Sequence, residues 1–114
     1  MPPLTLNLIQ GSVSFSFTPD AAKKLQTEIF QLMQSIKAAT TRSAESNRPN
    51  PQPAMEYRYT GEIFLEVFCN PNIYPSPFAA KVLLTIRDDR LRLTSEAELT
   101  RLLEDVSQYL EQVE

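Results

Sequence analysis

Residues 81–96 read KVLLTIRDDRLRLTSE, two runs of alternating apolar residues that flank a pair of aspartates and end in Thr-Ser-Glu. Residues 4–20 read LTLNLIQGSVSFSFTPD and repeat that order, with a turn at Gln10 and Gly11 and a final Thr-Pro-Asp. A period of two is typical of half-buried strands, and a Thr followed by an acidic residue two positions on is typical of a helix start. The sequence therefore predicts a strand-turn-strand-helix unit that occurs twice.

Each predicted hairpin leads into an amphipathic helix. After Thr18, Pro19 suits the first helical position, and apolar residues then recur at helical spacing to about Ala39. In the second unit, Ser95 and Glu98 have the spacing of a capping box, which predicts that the second helix begins there. Its apolar stripe is the most regular in the chain and consists of Leu99, Leu102, Leu103, Val106, Tyr109, Leu110 and Val113.

The middle of the chain is predicted to hold one long strand between two proline-rich loops. The strand covers residues 57–69, with Gly61 as a bulge or bend. The first loop, residues 42–54, is predicted to be a mobile linker within one domain, because its prolines can neither continue a helix nor donate regularly to a sheet. Residues 70–79 form the second loop. In an alternative arrangement, the strand at 57–59 is lost.

These elements predict a single α+β domain over residues 1–114, in the order β-β-α-β-β-β-α. An antiparallel sheet of about five strands forms one layer of a two-layer sandwich, and both helices pack on one face of it. A chain of 114 residues buries roughly two-thirds of its unfolded surface, which is sufficient for one core.

Composition argues against catalysis. The chain has no histidine, the commonest general base and metal ligand, and its two glycines are isolated, so no phosphate-binding loop can be drawn. Glu104, Asp105, Glu111 and Glu114 are interpreted as a solvated helix face because no calcium-loop spacing accompanies them. We expect a non-enzymatic protein with no cofactor and no metal.

The charge and the single cysteine restrict partners and compartment. The net charge is −3, with five basic against three acidic residues before Met55 and six against eleven from there on, which makes nucleic acid an unlikely partner. Cys69 cannot form an intrachain disulfide, and the first residues lack the basic-then-apolar layout of a signal peptide. We therefore expect a cytoplasmic protein, and the apolar stretches are too short to span a membrane.

Alternation along the long strand predicts an aromatic surface opposite the helices. If Ile63, Leu65 and Val67 face the helices, Phe64 and Phe68 face the other way together with Glu62 and Glu66. Leu83, Thr85 and Arg87 join them, and Thr5, Asn7, Ser14 and Ser16 add a neutral polar region. Aromatic residues and arginines are enriched at protein interfaces. The predicted contact surface consists of Phe64, Phe68, Arg87, Arg90 and Arg92, with help from Tyr74 and Phe78.

Two interpretations of this surface stay open at the level of sequence. In one, the chain's own loop covers Phe64 and Phe68, because Ile73, Tyr74 and Phe78 also need apolar surroundings. In the other, the surface docks another protein or a second copy in a homodimer, which is the commonest closed assembly. The chain would then be a non-catalytic interaction or assembly module.

Two further functions have weaker support. Single-stranded RNA binders stack bases on aromatic side chains of an open sheet, and Tyr57-Arg58-Tyr59 is the best stacking candidate here. An enzyme or small-ligand domain would have to use tyrosines and carboxylates, for example in a pocket lined by Tyr57, Tyr59 and Glu62.

Residues 81–114, with LRLTSEAEL at 91–99, resemble small uncharacterised cytoplasmic proteins of photosynthetic bacteria. The resemblance covers under a third of the chain. It implies no catalytic residue and no activity, and it favours an accessory or assembly role.

Overall fold

The computed structural model describes residues 2–40 and 51–113. Most of the linker predicted at 42–54 lies outside the described residues. In its described part, the Gln52 N–H donates to Asn72 Oδ1 at 2.7 Å, and Asn72 Nδ2 donates to the Gln52 carbonyl at 2.8 Å. Residues 51–54 are thus tied to the second loop.

Six strands, two helices and two short 3₁₀ turns make up the described chain. In chain order they are β1 (Leu4–Asn7), β2 (Ser12–Phe15), α1 (Pro19–Thr40), β3 (Met55–Thr60), β4 (Phe64–Cys69), the 3₁₀ turns Pro71–Ile73 and Pro77–Ala79, β5 (Lys81–Arg87), β6 (Arg92–Glu98) and α2 (Leu99–Val113).

The α+β class is confirmed, but the strands form two antiparallel sheets instead of one. β1 and β2 pair only with each other, whereas β3, β4, β5 and β6 form a four-stranded sheet in sequential order. The prediction of one long strand at 57–69 is wrong because the chain reverses at Gly61, whose N–H donates to the Ile63 carbonyl at 3.0 Å. Both halves of the segment alternate, so the pattern alone did not show the reversal.

The predicted start of the second helix is also wrong. Ser95 is the strand partner of Leu84, and β6 continues to Glu98. Leu93, Ser95 and Ala97 continue the alternation toward the core, so pairing along the whole of β5 replaces a local cap at Ser95. The chain passes directly from strand to helix, and the Leu99 N–H donates to the Ala80 carbonyl.

The turns and the first helix agree with the sequence. Gly11 has a φ of +88°, a value that glycine adopts without strain, and its carbonyl accepts from the Leu8 N–H. At the start of α1, Thr18 Oγ1 accepts from the Ala21 N–H at 3.2 Å. Asp88 Oδ1 accepts from the N–H groups of Arg90 and Leu91 at 2.8 Å, which fixes the β5–β6 turn.

A cluster of buried apolar side chains joins the helices, the hairpin and the inner face of the four-stranded sheet. The Tyr57 hydroxyl of β3 donates to the Ala21 carbonyl of α1 at 3.1 Å. Phe17, just after β2, packs edge-on against Tyr59 with ring centroids 4.7 Å apart, and the Tyr109 hydroxyl of α2 donates to the Phe17 carbonyl. The helices and the β1–β2 hairpin therefore lie on the same side of the large sheet.

Candidate functional site

The candidate site is the face of the four-stranded sheet that points away from the helices, called the outer face below. Strand register arranges its side chains in three rows that cross the sheet from β3 to β6. The first row is Glu56, Phe68, Leu83 and Glu96, the middle row is Arg58, Glu66, Thr85 and Thr94, and the third row is Thr60, Phe64, Arg87 and Arg92.

Two apolar side chains inside the first row of the outer face remain in contact with solvent. Phe68 and Leu83 are partners across β4 and β5, and they are 36% and 42% exposed. Their inward-facing neighbours, Val67 and Leu84, are buried in the core. The alternation predicted for Phe64, Phe68, Leu83, Thr85 and Arg87 is thus present in the structure.

The middle row has no net charge, because its two charged side chains pair with each other. Arg58 Nε lies 2.8 Å from Glu66 Oε2, and this carboxylate raises the pKa of the guanidinium. Thr85 is only 8% exposed although it lies on the outer face. The middle of the outer face at Thr85 is therefore already shielded from solvent.

The first and third rows carry opposite charges. Glu56 and Glu96 stand at the two ends of the first row, while Arg87 and Arg92 are direct partners in the third. The Arg87 guanidinium lies 4.5 Å from the centre of the Phe64 ring, a cation–π contact. None of these four charged side chains forms a salt bridge with any residue of 2–40 or 51–113.

The predicted contact residues separate into three groups. Phe64, Phe68, Arg87 and Arg92 share the outer face, whereas Arg90 lies in the β5–β6 turn. Tyr74 and Phe78 belong to the second loop, whose 3₁₀ turns contact α1 and α2. The structure therefore does not bring all seven residues into one patch.

The second loop exposes two of its apolar side chains to solvent. Phe78 is 82% exposed and Ile73 is 65% exposed, while Pro71 and Pro77 are buried. Tyr74 is half-buried, and burial raises the pKa of its hydroxyl. A hydrogen bond from the Lys81 N–H lowers this pKa, but by less than burial raises it. Ile73 and Phe78 are therefore not buried against Phe64 and Phe68, as one interpretation of the sequence required.

Several other predicted site residues face elsewhere. Glu62 lies in the turn between β3 and β4, not on the sheet. Asn7 points to α2, where its side-chain amide donates to Asp105 Oδ1 at 2.9 Å. Thr5 and Ser14 share a hydrogen bond on the separate hairpin. The neutral polar region predicted for the outer face is therefore absent from it.

Most of the residues proposed for base stacking or catalysis pack in or against the core. Tyr57 is buried, which raises its pKa to about 12, and Tyr59 packs on Phe17. Burial raises the pKa of the Cys69 thiol to about 11, so the thiol stays protonated at neutral pH. Within the described ranges, no group of three or more His, Cys, Asp or Glu side chains could hold a metal ion.

One buried carboxylate was not predicted from the sequence. Asp105 was assigned to a solvated helix face, but it is 4% exposed and accepts hydrogen bonds from the main chain and side chain of Asn7. A weak signal was available, since Asp105 lies next to Val106 and three positions after Leu102 on the apolar side of α2.

Comparison of this chain with protein-family models, with curated proteins and with solved structures gave no match. The resemblance of residues 81–114 to small proteins of photosynthetic bacteria stays a prediction. Among the described residues, no helix is both long and apolar enough to cross a membrane.

Proposed function

We propose that this chain is a non-catalytic protein-interaction or assembly module and that the outer face is its contact surface. The observation that carries the proposal is the exposure of Phe68 and Leu83, which are neighbours within the first row of the outer face. Covering one such side chain contributes about 1–2 kcal/mol. Glu56 and Glu96 at the ends of the first row, together with Arg87 and Arg92 of the third row, supply the polar surroundings that protein interfaces have.

The arrangement favours a protein over a nucleic acid as the partner. An RNA-binding sheet presents aromatic rings for base stacking beside a surplus of positive charge. Here Tyr57 faces the core, and the two arginines of the third row are balanced by Glu56 and Glu96 of the first row. Phe64 is in contact with Arg87 within the chain.

The variant Phe68→Asp tests the proposal. Phe78→Asp is the matched control, because it introduces the same change at an exposed residue of the second loop. Tagged full-length variants are used to capture partners from an extract of the native cells, at low and high salt. We expect the wild type and Phe78→Asp to retain the same proteins and Phe68→Asp to lose them. Circular dichroism and thermal unfolding check that both variants are folded.

If Phe68→Asp retains those proteins and Phe78→Asp loses them, the contact surface is the loop and not the outer face. A gel-shift titration of single-stranded oligonucleotides at low salt tests the alternative. Binding that depends on Arg87 and Arg92 would replace the proposed protein partner with RNA.

A further inference from the structure

We infer that the partner of the outer face is a second copy of this chain, an inference that rests on the proposed function. The two sheets stack face to face about a two-fold axis that lies between them, at right angles to the strands. In this arrangement Arg92 faces the partner's Glu96, and Phe64 faces the partner's Phe68. Each of these contacts therefore occurs twice in the dimer.

Charge on the outer face is ordered along the strand direction. The first row carries two glutamates, the middle row one arginine and one glutamate, and the third row two arginines. Lys81 and Glu98, beyond the first row, are direct partners of opposite sign. A copy turned so that its strands run the opposite way therefore places its first row over the third row of the other copy.

The second possible two-fold axis, parallel to the strands, is disfavoured. It would keep each row over the same row of the partner and exchange β3 with β6. Glu56 would then face the partner's Glu96, and Arg92 would face the partner's Thr60. The axis at right angles to the strands places Arg58 over the partner's Arg58 and Glu66 over the partner's Glu66, but these two charges already pair with each other within each copy. Glu56 and Glu96 form no salt bridge within residues 2–40 and 51–113, so their approach about the parallel axis brings two uncompensated like charges together. Like charges that face each other oppose association, and the axis at right angles to the strands is therefore favoured.

The isolated chain has a repulsion between two arginines that the dimer offsets. Arg87 and Arg92 are direct partners on neighbouring strands, a pairing of like charges that destabilises a sheet. Arg87 is in contact with the Phe64 ring, but Arg92 forms no salt bridge within residues 2–40 and 51–113. The partner's Glu96 supplies the missing carboxylate.

The turn carboxylates near the arginine row do not replace this partner. Glu62, Asp88 and Asp89 lie beyond the third row, in the β3–β4 and β5–β6 turns. Asp88 Oδ1 accepts from two main-chain N–H groups of its own turn, and these bonds lower the pKa of the carboxyl. None of the three is a member of a row on the outer face.

The aromatic residues have the same self-complementary placement. Phe64 and Phe68 lie on one strand, four residues and about 13 Å apart. Glu66 lies midway between them, in the middle row. Reversal of the strand about the middle row places each phenylalanine over the other one in the partner, and sheets that stack in this way keep their strands within about 30° of each other.

The size of the face predicts a weak dimer. Four strands about 4.8 Å apart and three rows about 6.8 Å apart give a patch of about 19 by 20 Å. Two such patches together cover about 760 Å², below the roughly 1,200 Å² of the smallest stable interfaces and in the range of weak, transient ones. We expect a dissociation constant of roughly 1–100 µM.

Charge reversal tests the arrangement in the purified full-length chain by sedimentation equilibrium. We expect R92E alone, and E96R alone, to raise the dissociation constant about tenfold or more, because each places like charges at two symmetric contacts. The double variant R92E/E96R restores self-association. An equimolar mixture of the two single variants forms a heterodimer, because each contact then joins a glutamate to an arginine. E104R on α2, at an exposed residue off the sheet, leaves the dimer unchanged.

Three outcomes would overturn the inference. A wild-type chain that stays monomeric at roughly 500 µM has no such dimer. Stronger association of E96R would indicate the axis parallel to the strands, in which residue 96 faces Glu56. Failure of both the double variant and the mixture to restore association would show that Arg92 and Glu96 do not meet.

The same samples separate this inference from the proposed function. If the purified chain is monomeric but captures a partner from extract, and Phe68→Asp abolishes the capture, the outer face binds another protein and the dimer is wrong. If the chain is monomeric and nothing captured depends on Phe68, the dimer and the proposed function are both wrong.

Discussion

Replacement of Asp105 by alanine should destabilise the fold far more than the same change at its exposed neighbour Glu104. The carboxylate accepts the Asn7 N–H at Oδ2 (2.8 Å) and the Asn7 side-chain amide at Oδ1 (2.9 Å), and Arg101 Nε lies 3.4 Å away. Its side chain is 2% exposed. These contacts join β1, at one end of the chain, to α2 at the other.

The magnitude follows from the two hydrogen bonds. Each hydrogen bond to a charged group contributes roughly 1.5–3 kcal/mol, and part of that gain is offset by the cost of burying the carboxylate. We expect Asp105→Ala to lower the free energy of unfolding by about 3 kcal/mol. Asn7→Ala should cost about 1.5 kcal/mol, because the main-chain N–H at residue 7 still donates to Oδ2.

Urea denaturation followed by circular dichroism measures the difference. With a slope of about 1.5 kcal/mol/M, Asp105→Ala should lower the midpoint by about 2 M. The matched control is Glu104→Ala, since Glu104 is exposed and lies 3.7 Å from Arg101 in a surface pair that contributes at most about 1 kcal/mol. A loss below about 1 kcal/mol for Asp105→Ala, or equal losses for all three variants, would refute the bridging role.

Two further predictions concern ionisation. Because the pKa of Tyr57 is raised to about 12 in the fold and lies near 10 when unfolded, its contribution is fully present below pH 10 and is lost as the pH rises from 10 to 12; unfolding at several pH values should show a drop of about 2 kcal/mol. Tyr57→Phe should reduce that drop, and an unchanged alkaline profile would show that Tyr57 does not cause it. Because burial raises the pKa of Cys69 from 9.0 to about 11, its thiolate fraction at pH 8 should be roughly a hundredfold lower in the folded chain than in the unfolded one. A disulfide reagent should therefore label the native protein far more slowly than the urea-unfolded protein, and equal rates would contradict the burial of Cys69.

The sequence predicted those parts of the fold that depend on local pattern. Alternation indicated the faces of β4 and β5, and Thr18, Gly11 and Asp88 indicated a helix cap and two turns that the structure contains. These signals are local because each depends on hydrogen bonds or dihedral angles of a few neighbouring residues. They do not specify which strands share a sheet.

The errors came from pairing between distant segments. The reversal at Gly61 and the extension of β6 through Ser95 both depend on partners in other strands, and residues 57–69 alternate equally well as one strand or two. The position of the β1–β2 hairpin depends on Asn7 meeting Asp105, 98 residues away. No local pattern in the sequence contains that contact.

Part of the candidate site was available from the sequence, namely the outward direction of Phe64, Phe68 and Arg87. The division of charge into rows was not, because it needs the register of all four strands. Arg92 lies in the third row and Glu96 in the first row only because β6 extends to Glu98. The predicted capping box at Ser95 would have put Glu96 in a helix.

The most direct test that two copies of the chain meet through the outer face is a concentration series of nitrogen-15 correlation spectra of the full-length chain. We predict that amide shifts change with concentration at the rows of the outer face, above all around Phe64, Phe68, Leu83 and Arg92, and that α1 stays constant. The changes should disappear in Phe68→Asp. Changes that centre on residues 70–79 and persist in that variant would contradict the assignment of the outer face.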